Sequence, residues 1–156
     1  MSVIEHSEVL VPLERVSVEI EVDPRKRGVG KTVLVVDDNA AIRKMLASAF
    51  LSDGFKTCAE AGNGKEGIEI AKLVKPDVIT LDLAMPVMNG LKAASELRKL
   101  FPKTPIILFT LYGDSLLRAD AEKAGVSVVL GKTTPLAALV DTAHELMEKT
   151  KGATSG

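Results

Sequence analysis

The chain has 156 residues, of which 46% are hydrophobic and 3% aromatic. It can therefore bury one core built from Val, Leu, Ile and Ala, which excludes a wholly disordered chain. Its 20 Lys and Arg residues balance 21 Asp and Glu residues, and the net charge of -1 excludes the basic surface of a general nucleic-acid binder. The single cysteine, Cys58, excludes a disulfide framework, and no apolar run reaches the roughly 18 to 20 residues of a membrane span. We therefore expect a cytoplasmic protein with neither a nucleic-acid nor a membrane partner.

The first 31 residues differ in pattern from the rest of the chain. Residues 16–22 alternate apolar and polar side chains with a period of two, which predicts a half-buried strand, and a second strand is predicted at residues 8–11. Residues 24–28 form a basic run that is typical of a solvated linker. We expect residues 1–31 to be an N-terminal extension. Three roles for it stay open, namely an extra strand, a contact within a homodimer, and a docking peptide.

From Thr32 onward, short β-branched runs alternate with segments of helical period. The runs predict strands at residues 33–36, 56–59, 78–81, 105–109 and 127–130. Amphipathic helices are predicted at residues 40–51, 65–74, 90–100 and 114–124, followed by one that begins at Pro135. This alternation predicts an α/β fold with a doubly wound, five-stranded parallel sheet over residues 32–151 and a disordered tail at residues 152–156. Periodicity alone does not fix the order of the strands.

Acidic residues follow two of the predicted strands. Asp37 and Asp38 stand at the end of the first strand and Asp82 at the end of the third, so in a doubly wound sheet their carboxylates converge. Two like charges about 4 Å apart repel by roughly 4 kcal/mol at the effective dielectric of a protein surface, and a divalent cation relieves that cost. Carboxylate oxygens suit Mg²⁺ better than a soft metal. The alternative for Asp37 and Asp38 is capping of the following helix.

Two further residues are placed at the same edge of the predicted sheet. Thr110 ends the fourth strand and Lys132 follows the fifth. A hydroxyl and an ammonium that face a metal-bound carboxylate make a site for an incoming phosphoryl group. Asp82 is the expected nucleophile, because an aspartate can form an acyl phosphate as a covalent intermediate.

These residues belong to a longer pattern that resembles the receiver domain of response regulators in two-component signalling. The matching segments are VVDDN at residues 35–39 and DVITLDLAMPVMNG at residues 77–90, together with Thr110 and Lys132. The match is specific, because the spaced Asp, Thr and Lys positions coincide with the D-x-x-M-P-x-M-N-G loop in one chain. It covers about residues 31–151.

The resemblance implies a flavodoxin-like sheet of order 2-1-3-4-5, with Mg²⁺ held by Asp37 or Asp38, by Asp82 and by the main-chain carbonyl of Ala84. It implies that Asp82 accepts a phosphoryl group from a histidine kinase or a histidine phosphotransfer protein, in a transfer that the protein assists without being an enzyme. Phosphorylation adds about -1.5 to -2 charges. The resemblance implies that the added charge draws Thr110 toward the phosphoryl group and shifts the face made by the fourth helix, fifth strand and fifth helix. That face then contacts a downstream protein target.

The chain departs from the family pattern near this site. Leu111 replaces the small residue that commonly follows the switch hydroxyl, and we expect it to crowd the entrance to Asp82. Val129 replaces a common aromatic residue on the fifth strand, and Tyr112 is a candidate either for a lid or for packing. Lys132 is followed by two threonines before a proline, whereas the family lysine is normally followed by proline directly.

Two other functions stay open at this stage. A pseudo-receiver, which keeps the fold and signals without phosphate, is suggested by Leu111, Val129 and the displaced proline. A Mg²⁺-dependent phosphohydrolase is disfavoured, because Ala84 stands where a second acid would serve as general acid. Ala84 and Tyr112 also predict slow loss of the phosphoryl group from Asp82, since neither side chain holds an attacking water well.

Overall fold

The structure is a computed structural model that describes residues 27–111, 113 and 115–154. Its strands are β1 (Thr32–Val36), β2 (Thr57–Ala61), β3 (Val78–Leu81), β4 (Ile106–Thr110) and β5 (Val128–Gly131). Its helices are α1 (Ala40–Ser52), α2 (Gly64–Val74), α3 (Gly90–Leu100), α4 (Ser115–Lys123) and α5 (Leu136–Thr154). None of these described helices combines the length and the apolarity needed to cross a lipid bilayer.

The five strands form one sheet of order β2-β1-β3-β4-β5, in which every neighbouring pair is parallel. The predicted doubly wound sheet is confirmed, and so is the strand order that the resemblance implies. The chain adds β2 on one side of β1 and then crosses to β3 on the other side. The order reverses between β1 and β3, and ligands in such folds bind beyond the C-terminal ends of the strands at this point.

Helices cover both faces of the sheet. Strands β3 and β4 are buried at every position, as parallel strands between two helical layers must be. Because successive side chains of a strand point to opposite faces, Leu34 and Val36 pack in one core with residues of α2, α3 and α4. Val33 and Val35 pack in the other core with residues of α1 and α5.

The ends of several elements differ from the predicted ones by one to three residues. Strands β2, β4 and β5 end later than predicted, at Ala61, Thr110 and Gly131, because ladder hydrogen bonds continue through residues that carry little strand signal of their own. Helix α5 extends to Thr154, past the predicted domain end at residue 151, and a single glycine does not interrupt it. The predicted strands at residues 8–11 and 16–22, the predicted helix start at Asp114, and the last tail residues 155–156 lie outside the described residues.

The start of the described chain, at Arg27 and Gly28, packs against the domain, and the other residues of the predicted linker, 24–26, lie outside the described residues. The N–H of Gly28 donates to the carbonyl oxygen of Asp53 at 3.1 Å. The Arg27 guanidinium lies 2.8 Å from the Asp141 carboxylate and 3.4 Å from that of Asp53. A Cβ atom at residue 28 would lie 2.4 Å from the ring of Phe55, so the close approach requires glycine.

Candidate functional site

Three carboxylates meet at the C-terminal edge of the sheet. Asp37 and Asp38 follow β1 and Asp82 follows β3, and one oxygen from each side chain lies within 4.8 Å of the other two. Asp37 and Asp82 are buried, with 2% and 7% of their surface exposed, whereas Asp38 is exposed. The predicted convergence of the three carboxylates is therefore confirmed.

The acidic pair after β1 does not cap α1. The cap is Asn39, whose side-chain oxygen accepts the N–H groups of Ala41 at 2.9 Å and Ile42 at 3.1 Å. Asp37 instead accepts the N–H of Asn39 through Oδ1, at 2.9 Å. The capping alternative is wrong, because the asparagine already satisfies the free N–H groups of the first turn.

Lys132 brings an ammonium group between two of the buried acids. Its Nζ lies 2.8 Å from Oδ2 of Asp37 and 3.3 Å from Oδ2 of Asp82. The N–H of Lys132 donates to the carbonyl oxygen of Thr110 at 2.8 Å, which ties the end of β5 to the end of β4. This backbone hydrogen bond positions Lys132, so its ammonium reaches the two acids without a proline directly after the lysine.

The charges of the site change the pKa of both Asp82 and Lys132. Burial raises the pKa of Asp82, and the neighbouring charge of Asp37 raises it further, while Lys132 offsets part of the rise. Burial by itself lowers the pKa of Lys132, but the hydrogen bond and charge of Asp37, with the charge of Asp82, outweigh that effect and raise it. Lys132 is therefore charged at neutral pH, and its ammonium contacts two of the three carboxylates, those of Asp37 and Asp82.

The structure describes all of the predicted switch and access residues except one. Thr110 is fully buried at the end of β4, and Leu111, the next residue, is 72% exposed, so most of its side chain faces solvent. Val129 is buried in the core on the α4 side of the sheet. Ala84 is exposed in the loop after Asp82, and Tyr112 lies outside the described residues. The roles assigned to these residues stay predictions.

The loop between β3 and α3 follows a tight path. The N–H of Met88 donates to the carbonyl oxygen of Pro86 at 2.6 Å, which closes a three-residue turn with Val87 at φ 68°. A β-branched residue is strained at positive φ, and such strain persists only where the surroundings fix it. A Cβ atom at Gly90 would lie 2.2 Å from the carbonyl oxygen of Asp82, so glycine lets α3 begin directly against that residue.

Two buried charged residues beside the cluster are absent from the sequence predictions. Glu60 on β2 is 2% exposed, and its carboxylate contacts Arg43 of α1 at 3.1 Å. Arg43 also donates to the main-chain carbonyl of Asp37 at 2.6 Å. A signal for Glu60 exists in the sequence, because it stands two positions after the apolar Cys58 and so shares its core-facing side of the strand.

Comparison with known proteins identifies one family. The model of the response regulator receiver domain matches residues 33–144. The chain is 42% identical over 96 residues to the chemotaxis protein CheY of Thermotoga maritima, which covers 62% of this chain and 80% of that protein. It is 35% identical over 112 residues to the transcriptional regulatory protein PdtaR of Mycobacterium tuberculosis, which covers 72% of this chain and 54% of that protein.

Solved structures agree with this result. A CheY-like receiver domain protein of Methanospirillum hungatei shares the fold with a TM-score of 0.75 at 21% identity, over 79% of this chain and 98% of that one. A chain in the CheX-CheY-BeF3-Mg complex of Borrelia burgdorferi has a TM-score of 0.69 at 28% identity, over 73% of this chain and 87% of that one. The residues matched by the family model include the acidic cluster, Thr110 and Lys132. The chain belongs to the response regulator receiver domain family.

Proposed function

We propose that the chain accepts a phosphoryl group on Asp82, in a Mg²⁺-dependent transfer from a histidine kinase or a histidine phosphotransfer protein, and that it signals through contact with a downstream protein. The observation that carries this proposal is the position of the Lys132 ammonium, 2.8 Å from Asp37 and 3.3 Å from Asp82. An ammonium in this position can bind the oxygens of a phosphoryl group on Asp82. The fold and family membership support the proposal.

The donor atoms of the cluster fit a hard divalent cation. Asp37, Asp38 and Asp82 bring their oxygens within 4.8 Å of one another, and three carboxylates exceed the charge of one lysine. With the main-chain carbonyl of Ala84, these residues would hold Mg²⁺, the ion that receiver domains bind at an acidic pocket. The ion would neutralise charge on the phosphoryl oxygens.

The protein's own residues supply orientation and charge for the transfer. A bond forms between a carboxylate oxygen of Asp82 and phosphorus, while the phosphorus–nitrogen bond of the donor phosphohistidine breaks and its electron pair stays on the imidazole nitrogen. The Oδ1 atom of Asp82 accepts the N–H of Leu83 at 2.8 Å, which fixes the rotation of the carboxylate. Lys132 stabilises charge on the phosphoryl oxygens, and the hydroxyl of Thr110 donates to one of them.

Propagation of the signal would begin at Thr110. Its carbonyl oxygen accepts the N–H of Lys132, so the phosphoryl-binding hydroxyl and ammonium belong to two joined strand ends. Beside them, α4 buries Ala121 and packs Leu117 partly against the same core, and a helix with few buried apolar contacts shifts at low cost. The face formed by α4, β5 and α5 is therefore the proposed contact for the downstream protein.

Intact-mass measurement with a small phosphodonor tests the proposal. The wild-type chain is expected to gain the mass of one phosphoryl group with Mg²⁺ and none with a chelator. Asp82→Ala should abolish the gain, whereas Asp120→Ala, at an exposed acid on α4, should leave it intact. No gain in the wild-type chain would favour the pseudo-receiver hypothesis, and phosphate release over many turnovers would favour the phosphohydrolase.

The lifetime of the phosphoryl group tests the role of Ala84, which is exposed two residues after Asp82. Ala84→Asn places an amide at the mouth of the site, where it can hold an attacking water. We expect it to shorten the lifetime by about tenfold, less than a full general base achieves. Ala84→Val adds bulk without an amide and serves as the control. An unchanged or longer lifetime in Ala84→Asn would contradict the assigned role.

A further inference from the structure

Glu60 and Arg43 form a buried ion pair next to the acidic cluster. The side chain of Glu60 is 3% exposed and that of Arg43 is 10% exposed. Oε1 of Glu60 accepts the Nε–H of Arg43 at 3.1 Å, and Oε2 contacts the ammonium of Lys44, which is 66% exposed, at 3.2 Å. One carboxylate thus meets two cations of α1, of which only Arg43 is buried.

Arg43 connects this pair to the backbone of the site. Its Nη1 donates to the main-chain carbonyl oxygen of Asp37 at 2.6 Å, a short charge-assisted bond. That carbonyl belongs to the peptide between Asp37 and Asp38. The carboxylate of Asp37 is held separately, by the N–H of Asn39 at 2.9 Å and by Lys132 at 2.8 Å. The guanidinium therefore fixes the peptide that carries the chain from the first acid to the second.

Stability alone is a poor explanation for a pair in this position. Buried ion pairs contribute little net stability, because the loss of hydration of both charges offsets their attraction. A guanidinium, however, presents several N–H groups in a fixed plane, so Arg43 can bind Glu60 and the carbonyl of Asp37 at once. A lysine has one nitrogen on a flexible stem and cannot hold the same geometry.

The geometry points to Arg43, oriented by Glu60, as a positioning residue of the cation site: it fixes the Asp37–Asp38 peptide so that both carboxylates face the same ion. This inference rests on the proposed function, because it requires that the cluster bind Mg²⁺. Arg43 contacts neither the ion nor the phosphoryl group and acts through the backbone of Asp37. Outer-shell partners of this kind commonly change metal affinity by 10- to 100-fold.

The direction in which Mg²⁺ affinity changes distinguishes a positioning role of Arg43 from a purely electrostatic one. Arg43 is a cation close to a cation site, so if it acts only through charge, its removal should tighten Mg²⁺ binding. If it acts through position, both Arg43→Met and Arg43→Lys should weaken binding, although the second keeps the charge. Lys44→Met is the matched control, because it removes a cation that contacts the same Glu60 carboxylate. The hydrogen bond from Arg43 to the carbonyl of Asp37 is left in place.

The test is the Mg²⁺ dissociation constant of the full chain, measured by isothermal titration calorimetry with far-UV circular dichroism to verify folding. We expect a rise of about tenfold in Arg43→Met and Arg43→Lys, and a change below about twofold in Lys44→Met. Amide hydrogen exchange at Asp38 in metal-free protein should accelerate in Arg43→Lys and stay unchanged in Lys44→Met. Unchanged or tighter Mg²⁺ binding in both Arg43 variants would overturn this inference alone, whereas a wild-type chain that binds no Mg²⁺ would overturn the proposed function as well.

Discussion

Thr80 illustrates, at the scale of single residues, a polar group that the sheet buries without compensation. It is 1% exposed on β3, and its neighbours in the adjacent strands are Val35 and Ile107. Within the described part of the chain, its hydroxyl is the buried side-chain oxygen that has no hydrogen-bond partner. Burial of such a group lowers the free energy of unfolding by about 1 to 3 kcal/mol, because its hydrogen bonds to water are lost and no bond within the protein replaces them.

Thr80→Val is therefore expected to raise the free energy of unfolding by about 1 kcal/mol, since a methyl group replaces an unpaired hydroxyl of similar size. The reverse change on the same strand, Val78→Thr, adds a hydroxyl to the core and should lower stability by a similar amount. Urea denaturation of both variants measures the effect. A loss of stability in Thr80→Val would show that the hydroxyl has a partner in solution.

Cys58 is a buried thiol with no expected reactivity. It is fully buried on β2, where burial and the nearby charge of Glu60 raise its pKa to about 12. At pH 8 the thiol is protonated and shielded, so we expect no modification by a thiol reagent in the native protein and full modification in denaturant. Because the sequence has one cysteine, any labelling of the chain by the reagent is assigned to Cys58. Rapid labelling of the native chain would contradict the buried position.

At the scale of elements, Arg98 of α3 joins three segments through one guanidinium. Its Nε and Nη2 donate to the carbonyl oxygen of Gly125, in the turn after α4, at 3.0 and 2.8 Å. Its Nη1 donates to the carbonyl oxygens of Phe101, Pro102 and Thr104, at 3.1, 2.9 and 2.8 Å. These bonds satisfy carbonyls at the end of α3 and before β4. Burial of the guanidinium lowers the pKa of Arg98.

Arg98→Met should lower the free energy of unfolding by about 2 to 4 kcal/mol, because the aliphatic stem remains while several carbonyls lose their donor. Lys99→Met on the same helix is the matched control. Lys99 is 73% exposed and its contact to Glu96 is 3.9 Å long, so its removal should change stability by less than about 0.5 kcal/mol. Equal stabilities of the two variants in thermal unfolding would contradict the account of Arg98.

The elements themselves were largely predictable, and their ends were less so. The β-branched runs of β1 and β3 define those strands unambiguously, since parallel strands buried on both faces need continuous apolar residues. By contrast, β2 extends through Glu60 and Ala61, which carry little strand propensity, because its backbone pairs with β1 to the end of that strand. Pairing between strands is a tertiary effect that local residue preference does not contain.

At the scale of the whole molecule, the site exists only when separate strands assemble. Asp37, Asp82 and Lys132 come from the ends of β1, β3 and β5, and the sheet order brings them together. Their convergence was predictable, because strand ends in a doubly wound sheet share one edge. Arg43 and Glu60 were less predictable. The spacing of Glu60 from Cys58 indicates its face of β2, but charged residues are solvated by default, and only the assembled packing reveals that Arg43 is buried with it.

Chemical trapping of the phosphorylated residue tests the central claim most directly. The chain would be treated with a small phosphodonor and Mg²⁺, reduced with borohydride, which converts an acyl phosphate of aspartate to homoserine, and digested for peptide mass analysis. We expect the conversion at residue 82 alone, and none without Mg²⁺ or in denaturant, where the strand ends separate. Absence of conversion in the native chain, or conversion at Asp37 or Asp38 instead, would contradict the assignment of Asp82 as the phosphoryl acceptor.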